Sequence, residues 1–247
     1  MGTSSSFKGK KGDALLPNDF LLEDDNNENE DNKKDLDNPN WTVAKSSMSK
    51  YISSGGNIGS SKKVVSNYIR ATAGAKAFSS RQGIGSAGSN FSRLLSSITK
   101  NGFTTTIAGL GNQFKNKSTV ESISLLVNYV VENSISKDDI AIRSATVNTL
   151  EALSSLLNDK DSLTEIEAIY LLQYFTRELI WQVMLVDYGH SFEKMGSDIE
   201  EAMKAEKKIK EYIQACVEVG FSSSRDNYFT EDSFNKILIS CLEIMEE

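Results

Sequence analysis

The sequence predicts an all-α protein, an irregular helical domain of about six to eight helices behind a flexible N-terminal tail. Apolar residues recur at three- and four-residue steps through most of the chain after residue 40, as expected for helices buried on one side. The two prolines, Pro17 and Pro39, precede the first of these patterns, so no later helix is broken by proline. Sustained alternation of apolar and polar residues, which would predict β-strands, is missing.

Composition divides the 247 residues into four parts. Residues 1–22 form a polar tail. Residues 23–39 form an acidic Asn/Asp/Glu-rich linker, which carries too little apolar surface to offset the entropy of ordering. Residues 40–117 form a basic, Gly/Ser-rich helical part, and residues 118–247 form an acidic helical bundle.

Charge is distributed unevenly along the chain. Residues 41–120 carry eleven Lys/Arg and no acidic residue, whereas residues 121–247 carry eleven Lys/Arg and twenty-four Asp/Glu. The basic stretch predicts either a surface for an anionic partner or a face that neutralises the acidic half. Six cations are candidates for contact with an anion: Lys62, Lys63, Arg70, Lys76, Arg81 and Arg93. Nucleic-acid binding by this region is an alternative function, and contact with an acidic protein surface or with the chain's own acidic half is favoured over it.

In the basic part, the first predicted helix opens at Trp41 and ends at Ser53-Ser54-Gly55-Gly56. A second helix is predicted over about residues 60–80, with Gly74 as an interruption that lowers its helix propensity. The glycine-rich residues 83–89 lack the preceding strand and the closing Gly-Lys-Ser/Thr of a phosphate-binding loop. We expect them to form a turn that leads into a helix over residues 90–101.

In the acidic part, two capping boxes predict helix starts, Ser118 with Glu121 and Ser162 with Glu165. The second opens a long helix whose apolar residues fall on more than one face, which predicts a central position. The helices predicted for this part span about residues 119–131, 137–158, 163–187, 197–219 and 230–246.

No constellation of residues indicates catalysis. His190 is the only histidine, and Cys216 and Cys241 fall at core-facing helix positions without Cys-x-x-Cys spacing. A catalytic triad or a zinc site needs several such groups together, so we predict a non-enzymatic protein without metal or cofactor. The chain has no apolar run of the roughly 20 residues that span a bilayer, and we expect it in the cytoplasm.

The first residues of the chain contain the one candidate for a reactive group. Gly2 commonly permits removal of Met1, which would expose a glycine amine with a pKa near ~8. We interpret the tail as a segment on which another protein acts. The short apolar patch Leu15-Leu16-Pro17 predicts either an anchor in a partner's groove or a strap over this protein's own helices. Met1-Gly2-x-x-x-Ser6 also matches the N-myristoylation pattern, and Lys8, Lys10 and Lys11 would supply the electrostatic second signal.

Several stretches resemble the QatB family, the B component of the Qat anti-phage defence system of bacteria. They are Met1-Gly2-Thr3-Ser4-Ser5-Ser6 with Leu15-Leu16-Pro17, Trp41-x-x-Ala44-Lys45, Ser53-Ser54-Gly55-Gly56, Tyr68-Ile69-Arg70-Ala71 with Gly74, Leu163-Thr164 through Val183-Met184-x-x-Asp187-x-Gly189, and Tyr212-Ile213-x-x-Cys216-Val217. The chain departs from the family in having Asn18 and Asp19 where a second proline and a tryptophan are usual, and in its acidic linker.

This resemblance implies a partner, a QatC component similar to the queuosine-pathway enzyme that makes 7-cyano-7-deazaguanine, with an ATPase and a TatD-like DNase in the same system. An enzyme of that type activates a carboxyl-bearing deazaguanine with ATP, and the amine of Gly2 is the implied acceptor. Small tail residues would let the tail enter a narrow active site: Thr3, Ser4, Ser5 and Ser6. The helical body would then hold the partner and raise the effective concentration of the tail.

Overall fold

The computed structural model describes residues 39–131, 137–158, 160–189, 198–223, 228–229 and 233–247. In these residues it contains ten α-helices, one short 3-10 helix and no strand, which confirms the all-α prediction. The helices are α1 (Pro39–Ser53), α2 (Ser61–Ala71), α3 (Ala75–Ser79), α4 (Ile84–Asn101), α5 (Phe103–Gly109), the 3-10 helix (Asn112–Phe114), α6 (Thr119–Val130), α7 (Lys137–Leu156), α8 (Glu165–Tyr188), α9 (Ile199–Ser223) and α10 (Ser233–Glu246).

Helix α8 is the centre of the domain and packs against α4, α7 and α9. Its buried side chains lie on several faces, including Leu171, Phe175 and Trp181, so the central position predicted from the sequence is confirmed. Ile166, at the start of α8, is 81% exposed and does not belong to the buried faces. In α7 the apolar residues Ile140 and Val147 are also exposed, since the core reaches only one side of that helix.

The prediction of one helix over residues 60–80 is wrong. The chain forms α2 and α3 instead, and between them Ala73 and Gly74 take left-handed φ angles of 65° and 90°. The amide of Gly74 donates to the carbonyl of Ile69 at 2.9 Å, which closes the end of α2. The glycine that weakens the helical pattern is therefore the point at which the chain turns.

The turn predicted over residues 83–89 is also wrong, because α4 begins at Ile84 and runs through the glycine-rich stretch. Gly88 shows why this helix contains glycine. A Cβ built there would lie 1.9 Å from the Cε1 atom of Phe234 in α10. Glycine is used here for close packing between two helices rather than for a loop.

One predicted capping box is confirmed and the other is shifted. Ser118 and Glu121 cap α6 reciprocally, whereas the box of α8 is formed by Thr164 and Glu167 and not by Ser162 and Glu165. Hydrogen bonds from the backbone and side chain of Ser118 lower the pKa of the Glu121 carboxyl to about 2.

One hydrophobic core joins the basic and acidic parts of the chain. Helix α10 packs on α2, α3, α4 and α9, and α4 packs on α8. Cys216 and Cys241 are buried free thiols, as predicted, and burial raises the pKa of Cys241 to about 12. The basic and acidic parts therefore share one core and do not form two separate cores.

Candidate functional site

The residues predicted to carry the chemistry lie outside the described part of the chain. They are Gly2, Thr3, Ser4, Ser5, Ser6, Leu15, Leu16 and Pro17. His190 also lies outside it. The described residues define the surface to which that tail is joined.

An aromatic cluster fixes the start of α1. Trp41 packs edge-on against Tyr68 and Tyr188, with ring centroids 5.9 and 6.1 Å away, and Tyr68 packs against Phe78 at 6.3 Å. Edge-to-face pairs at these distances are favourable beyond the area that they bury. The point at which residues 1–38 join the helical domain is therefore held by four rings from different helices.

A groove of about 450 Å³ lies between α1 and α2, close to this junction. We call it the α1/α2 groove, and it is lined by Thr42, Val43, Ser46, Ser47, Lys50, Ile58, Gly59, Ser60, Lys63, Val64 and Asn67. Within the described chain no acidic side chain lines it. Its composition is that of a basic, hydroxyl-rich surface with apolar positions.

Helix α9 fixes the turn at one end of the groove. The Nζ atom of Lys208 donates to the carbonyls of Gly55 and Gly56 at 3.0 and 3.2 Å. The hydroxyl groups of Tyr51 and Ser61 are 2.6 Å apart, and the Ser61 hydroxyl donates to the carbonyl of Lys208 at 3.1 Å. The predicted Ser-Ser-Gly-Gly stop of α1 is thus a turn with tertiary hydrogen bonds, which makes the groove a preformed feature.

The charged groups that line the groove are the ammonium groups of Lys50 and Lys63. Lys50 and Lys63 form no ion pair with any described residue, and the buried Nδ2 atom of Asn67 has no hydrogen-bond partner among them. Val43 is 52% exposed and Ile58 is 63% exposed. Unpaired ammonium groups beside exposed apolar side chains are suited to a ligand that carries both acidic and apolar groups.

Arg81 lies in a different environment, an ionic network inside the domain. Its guanidinium group contacts both carboxylate oxygens of Asp138 and donates to those of Asp187 at 2.6 and 2.9 Å. The hydroxyl of Tyr68 donates to Asp187 at 2.7 Å. These residues come from α2, the α3–α4 turn, α7 and α8, so the network ties four parts of the fold together.

The network changes the protonation equilibria of its members. Burial lowers the pKa of Arg81, but its hydrogen bonds to Asp187 and Asp138 outweigh burial, and the net pKa is raised. The pKa of Tyr68 is raised by burial first and then by the negative charge of Asp187. Tyr68 is therefore a neutral donor and Arg81 a cation throughout the physiological pH range.

The structure separates the six cations that the sequence grouped together. Lys62 and Lys63 share the first turn of α2, and Lys76 is exposed on α3. Arg70 donates to the carbonyl of Glu246 at 2.8 Å, and Arg81 is held by two carboxylates. Arg93 lines a separate cavity of about 390 Å³ beside α5 and α6.

A model of the family described as Qat anti-phage system associated protein QatB matches residues 73–244. The match covers more than half of the chain. The chain belongs to the QatB family. No curated protein and no solved structure gives a match.

The family match covers Arg81, Asp138 and Asp187, and it begins after α2. The ionic network of this QatB chain thus lies in the segment that the family model describes. The α1/α2 groove precedes that segment.

A larger cavity of about 830 Å³ lies along α9 of this QatB chain, lined by charged residues together with Met203, Gln214 and Ala215, and by Arg177 of α8. Its charges pair with one another, as in the contact of Lys204 with Glu200 at 3.1 Å and of Lys210 with Glu206 at 3.0 Å. The sequence did not indicate the buried Glu178 nearby, which accepts from Arg177 at 2.8 Å and from Asn148 at 3.0 Å. These contacts satisfy the buried carboxylate, and the four cations that line the cavity are matched by four carboxylates.

Over the described ranges, no three metal-ligating side chains come together as a metal site. The helices in the described part of this QatB chain are all too short or too polar to cross a bilayer.

Proposed function

We propose that this member of the Qat anti-phage defence system is the non-enzymatic protein substrate and binding partner of a queuosine-pathway-like enzyme of the QatC type. The enzyme conjugates a deazaguanine base to Gly2. The nitrogen of the glycine amine attacks the carbonyl carbon of the ATP-activated deazaguanine carboxylate. A C–N amide bond forms, the bond to the activating group breaks, and the amine loses a proton.

The observation that carries this proposal is the anchored start of α1. Because Trp41 is packed in the aromatic cluster, the residues before Pro39 leave the domain from a defined point. The 37 residues from Gly2 to Asn38 can span at most about 130 Å. Gly2 can therefore reach an active site on a partner while the helical body binds elsewhere on it.

Binding through the body also makes the reaction efficient. A tail tethered to a bound body experiences an effective concentration of about a millimolar, so a weak interaction of the tail itself is sufficient. Leu15, Leu16 and Pro17 are the proposed anchor of the tail on the partner, and Thr3, Ser4, Ser5 and Ser6 enter its active site. We place this reaction in the cytoplasm, with the ATPase and the TatD-like DNase as further partners.

Intact-mass analysis of the chain co-expressed with its QatC-type partner tests the proposal. We expect a deazaguanine-sized adduct that maps to the N-terminal peptide after loss of Met1. The variant Gly2→Pro, which leaves a secondary amine in a ring, should carry none, while Gly9→Ala should carry the adduct as the wild type does. An unmodified N-terminus in the presence of active partner and ATP would contradict the proposal.

Two alternative functions predict different results. A tetradecanoyl adduct on Gly2 would instead indicate an N-myristoylated membrane adaptor. A nucleic-acid-binding adaptor is supported by exposed lysines of residues 41–120 that form no ion pair with a described residue, among them Lys50, Lys63 and Lys76. That function predicts DNA binding by the isolated chain that weakens steeply as the salt concentration rises.

A further inference from the structure

The α1/α2 groove has two properties that together specify a ligand. Lys50 and Lys63 lack an anionic partner in the described chain, and exposed Val43 and Ile58 provide apolar contacts beside them. Covering an exposed apolar side chain with a partner is favourable by roughly 25 cal/mol per Å² of apolar surface removed from water. A ligand with apolar side chains next to a run of carboxylates complements both features.

We propose that the α1/α2 groove binds residues 20–25 of this same chain. Their sequence is Phe-Leu-Leu-Glu-Asp-Asp, three apolar residues followed directly by three acidic ones. Phe20, Leu21 and Leu22 cover the apolar positions of the groove, and the carboxylates of residues 23–25 face its two lysines. Residues 20–25 lie outside the described part of the chain.

Chain length supports binding within one molecule. Thirteen residues, 26–38, separate this segment from the start of α1, and they can span at most about 45 Å. Helix α1 has 15 residues and is therefore about 22 Å long. The connection reaches every part of the groove, and it is short enough to give the segment an effective concentration of about a millimolar.

Charge favours the same segment. Residues 41–120 contain no carboxylate, so the groove lies in a basic part of the chain, whereas residues 1–40 carry ten acidic residues and five lysines. Opposite charges steer the segment to the groove and disfavour binding of the basic residues 8–11 there. The inference goes beyond the proposed function, because it does not depend on modification of Gly2. Its consequence is that residues 1–19 alone form the part of the tail that is left to a partner.

Amide hydrogen exchange on the full chain tests the proposal. In the variant Phe20→Ser/Leu21→Ser/Leu22→Ser we expect the peptides that cover residues 42–50 and 58–67 to exchange at least about fivefold faster than in the wild type. The charge reversal Lys50→Glu/Lys63→Glu should give the same result and should also speed exchange in residues 20–25. Equal exchange in the wild type and both variants would overturn the proposal.

Matched controls separate binding from a general change in charge. Lys100→Glu/Lys115→Glu makes the same charge change at two exposed lysines outside the groove, and it should leave exchange in residues 20–25 unchanged. Adding Glu23→Lys/Asp24→Lys/Asp25→Lys to Lys50→Glu/Lys63→Glu should restore slow exchange. Failure of this charge swap, with both parent variants folded, would contradict the pairing of these charges.

A disulfide crosslink identifies the occupant. The pair Leu21→Cys/Val43→Cys should crosslink within a monomer under mild oxidation, while Leu21→Cys/Lys115→Cys should not. Native Cys216 and Cys241 are buried and do not compete. A crosslinked dimer would place a second copy in the groove and overturn binding within one chain, as would no crosslink at all. These readouts are independent of the mass of Gly2, so the inference and the proposed function can fail separately.

Discussion

Arg81 and Lys63 lie in the same acid-free stretch of the chain, but the fold uses their charges in opposite ways. Arg81 contacts two carboxylates from α7 and α8, and its side chain is 20% exposed. Lys63 is exposed in the α1/α2 groove and pairs with no described carboxylate. One cation joins parts of the domain, and the other remains available to a ligand.

This difference bears on the two interpretations of the basic region, a neutralising face and a surface for an anionic partner. Arg81 and Arg70 serve the acidic half of their own chain, through carboxylates in one case and the carbonyl of Glu246 in the other. Lys50 and Lys63 line the α1/α2 groove and form no ion pair with a described residue. The interpretation as a neutralising face is therefore confirmed for Arg81, and the interpretation as a surface for an anionic partner stays a prediction for Lys50 and Lys63. The five predictions that follow compare the internal network and the core around it with the groove.

The largest effect is expected for Arg81→Met. This change removes the cation and leaves the carboxylates of Asp138 and Asp187 largely buried without it, which costs about 3–5 kcal/mol in the free energy of unfolding. Urea denaturation followed by circular dichroism measures this value. Lys76→Met is the matched control, and it should change the free energy by less than about 0.5 kcal/mol. A loss below about 1 kcal/mol for Arg81→Met would contradict a structural role for the network.

The second-largest effect is expected in the hydrophobic core that the basic and acidic parts share. Gly88→Ala places a Cβ against the ring of Phe234, which forces α4 and α10 apart and costs about 1–3 kcal/mol. Gly85→Ala on the same helix has no atom nearer than 3.8 Å and should be neutral or stabilising by up to about 1 kcal/mol. Thermal unfolding of the two variants provides the comparison. Equal stability would mean that α4 and α10 are not in close contact.

A smaller effect is expected for Tyr68→Phe, which removes one hydrogen bond to the carboxylate of Asp187 and should cost about 1–2 kcal/mol at neutral pH. Tyr188→Phe is its control. Its hydroxyl is buried and has no partner among the described residues, so removal of that hydroxyl should be neutral or stabilising.

The same tyrosines predict the pH dependence of stability. Burial raises the pKa of Tyr68 and Tyr188 in the folded state. Their contribution to the free energy of unfolding is therefore fully present below about pH 10, the pKa of tyrosine in the unfolded chain. Above that pH the unfolded chain loses these protons first, and stability falls by up to about 1.4 kcal/mol per pH unit for each tyrosine. Urea denaturation between neutral and alkaline pH should show a shallower decline for Tyr68→Phe than for the wild type. An unchanged slope would exclude Tyr68 as a source of the decline.

The smallest effect is expected in the groove. Lys50→Ala and Lys63→Ala remove exposed ammonium groups without an ion-pair partner in the described chain, and each should change the free energy of unfolding by less than about 0.5 kcal/mol. Denaturation under the conditions used for Arg81→Met measures the difference. A loss comparable to that of Arg81→Met would mean that the groove lysines are structural, and the contrast between the two regions would disappear.

Local signals determined most of the helices. The capping box of Ser118 and Glu121 and the glycine stop after Ser54 act over a few residues, so the sequence alone was sufficient to place them. The buried position of Cys241 followed from helical periodicity in the same way. The family resemblance was likewise carried by short stretches of sequence, and the family match confirms it.

Tertiary packing decided what these signals leave open. A glycine breaks a helix at residue 74 and continues one at residue 88, because at the second position another helix, through Phe234, fills the space that a side chain would occupy. Arg81 and Lys63 are both cations in the same acid-free stretch, so the sequence alone does not distinguish them. The partners of Arg81 are 57 and 106 residues away in the chain. No local pattern encodes contacts at that separation, so only the folded structure distinguishes the cation that holds the domain together from the one that faces the groove.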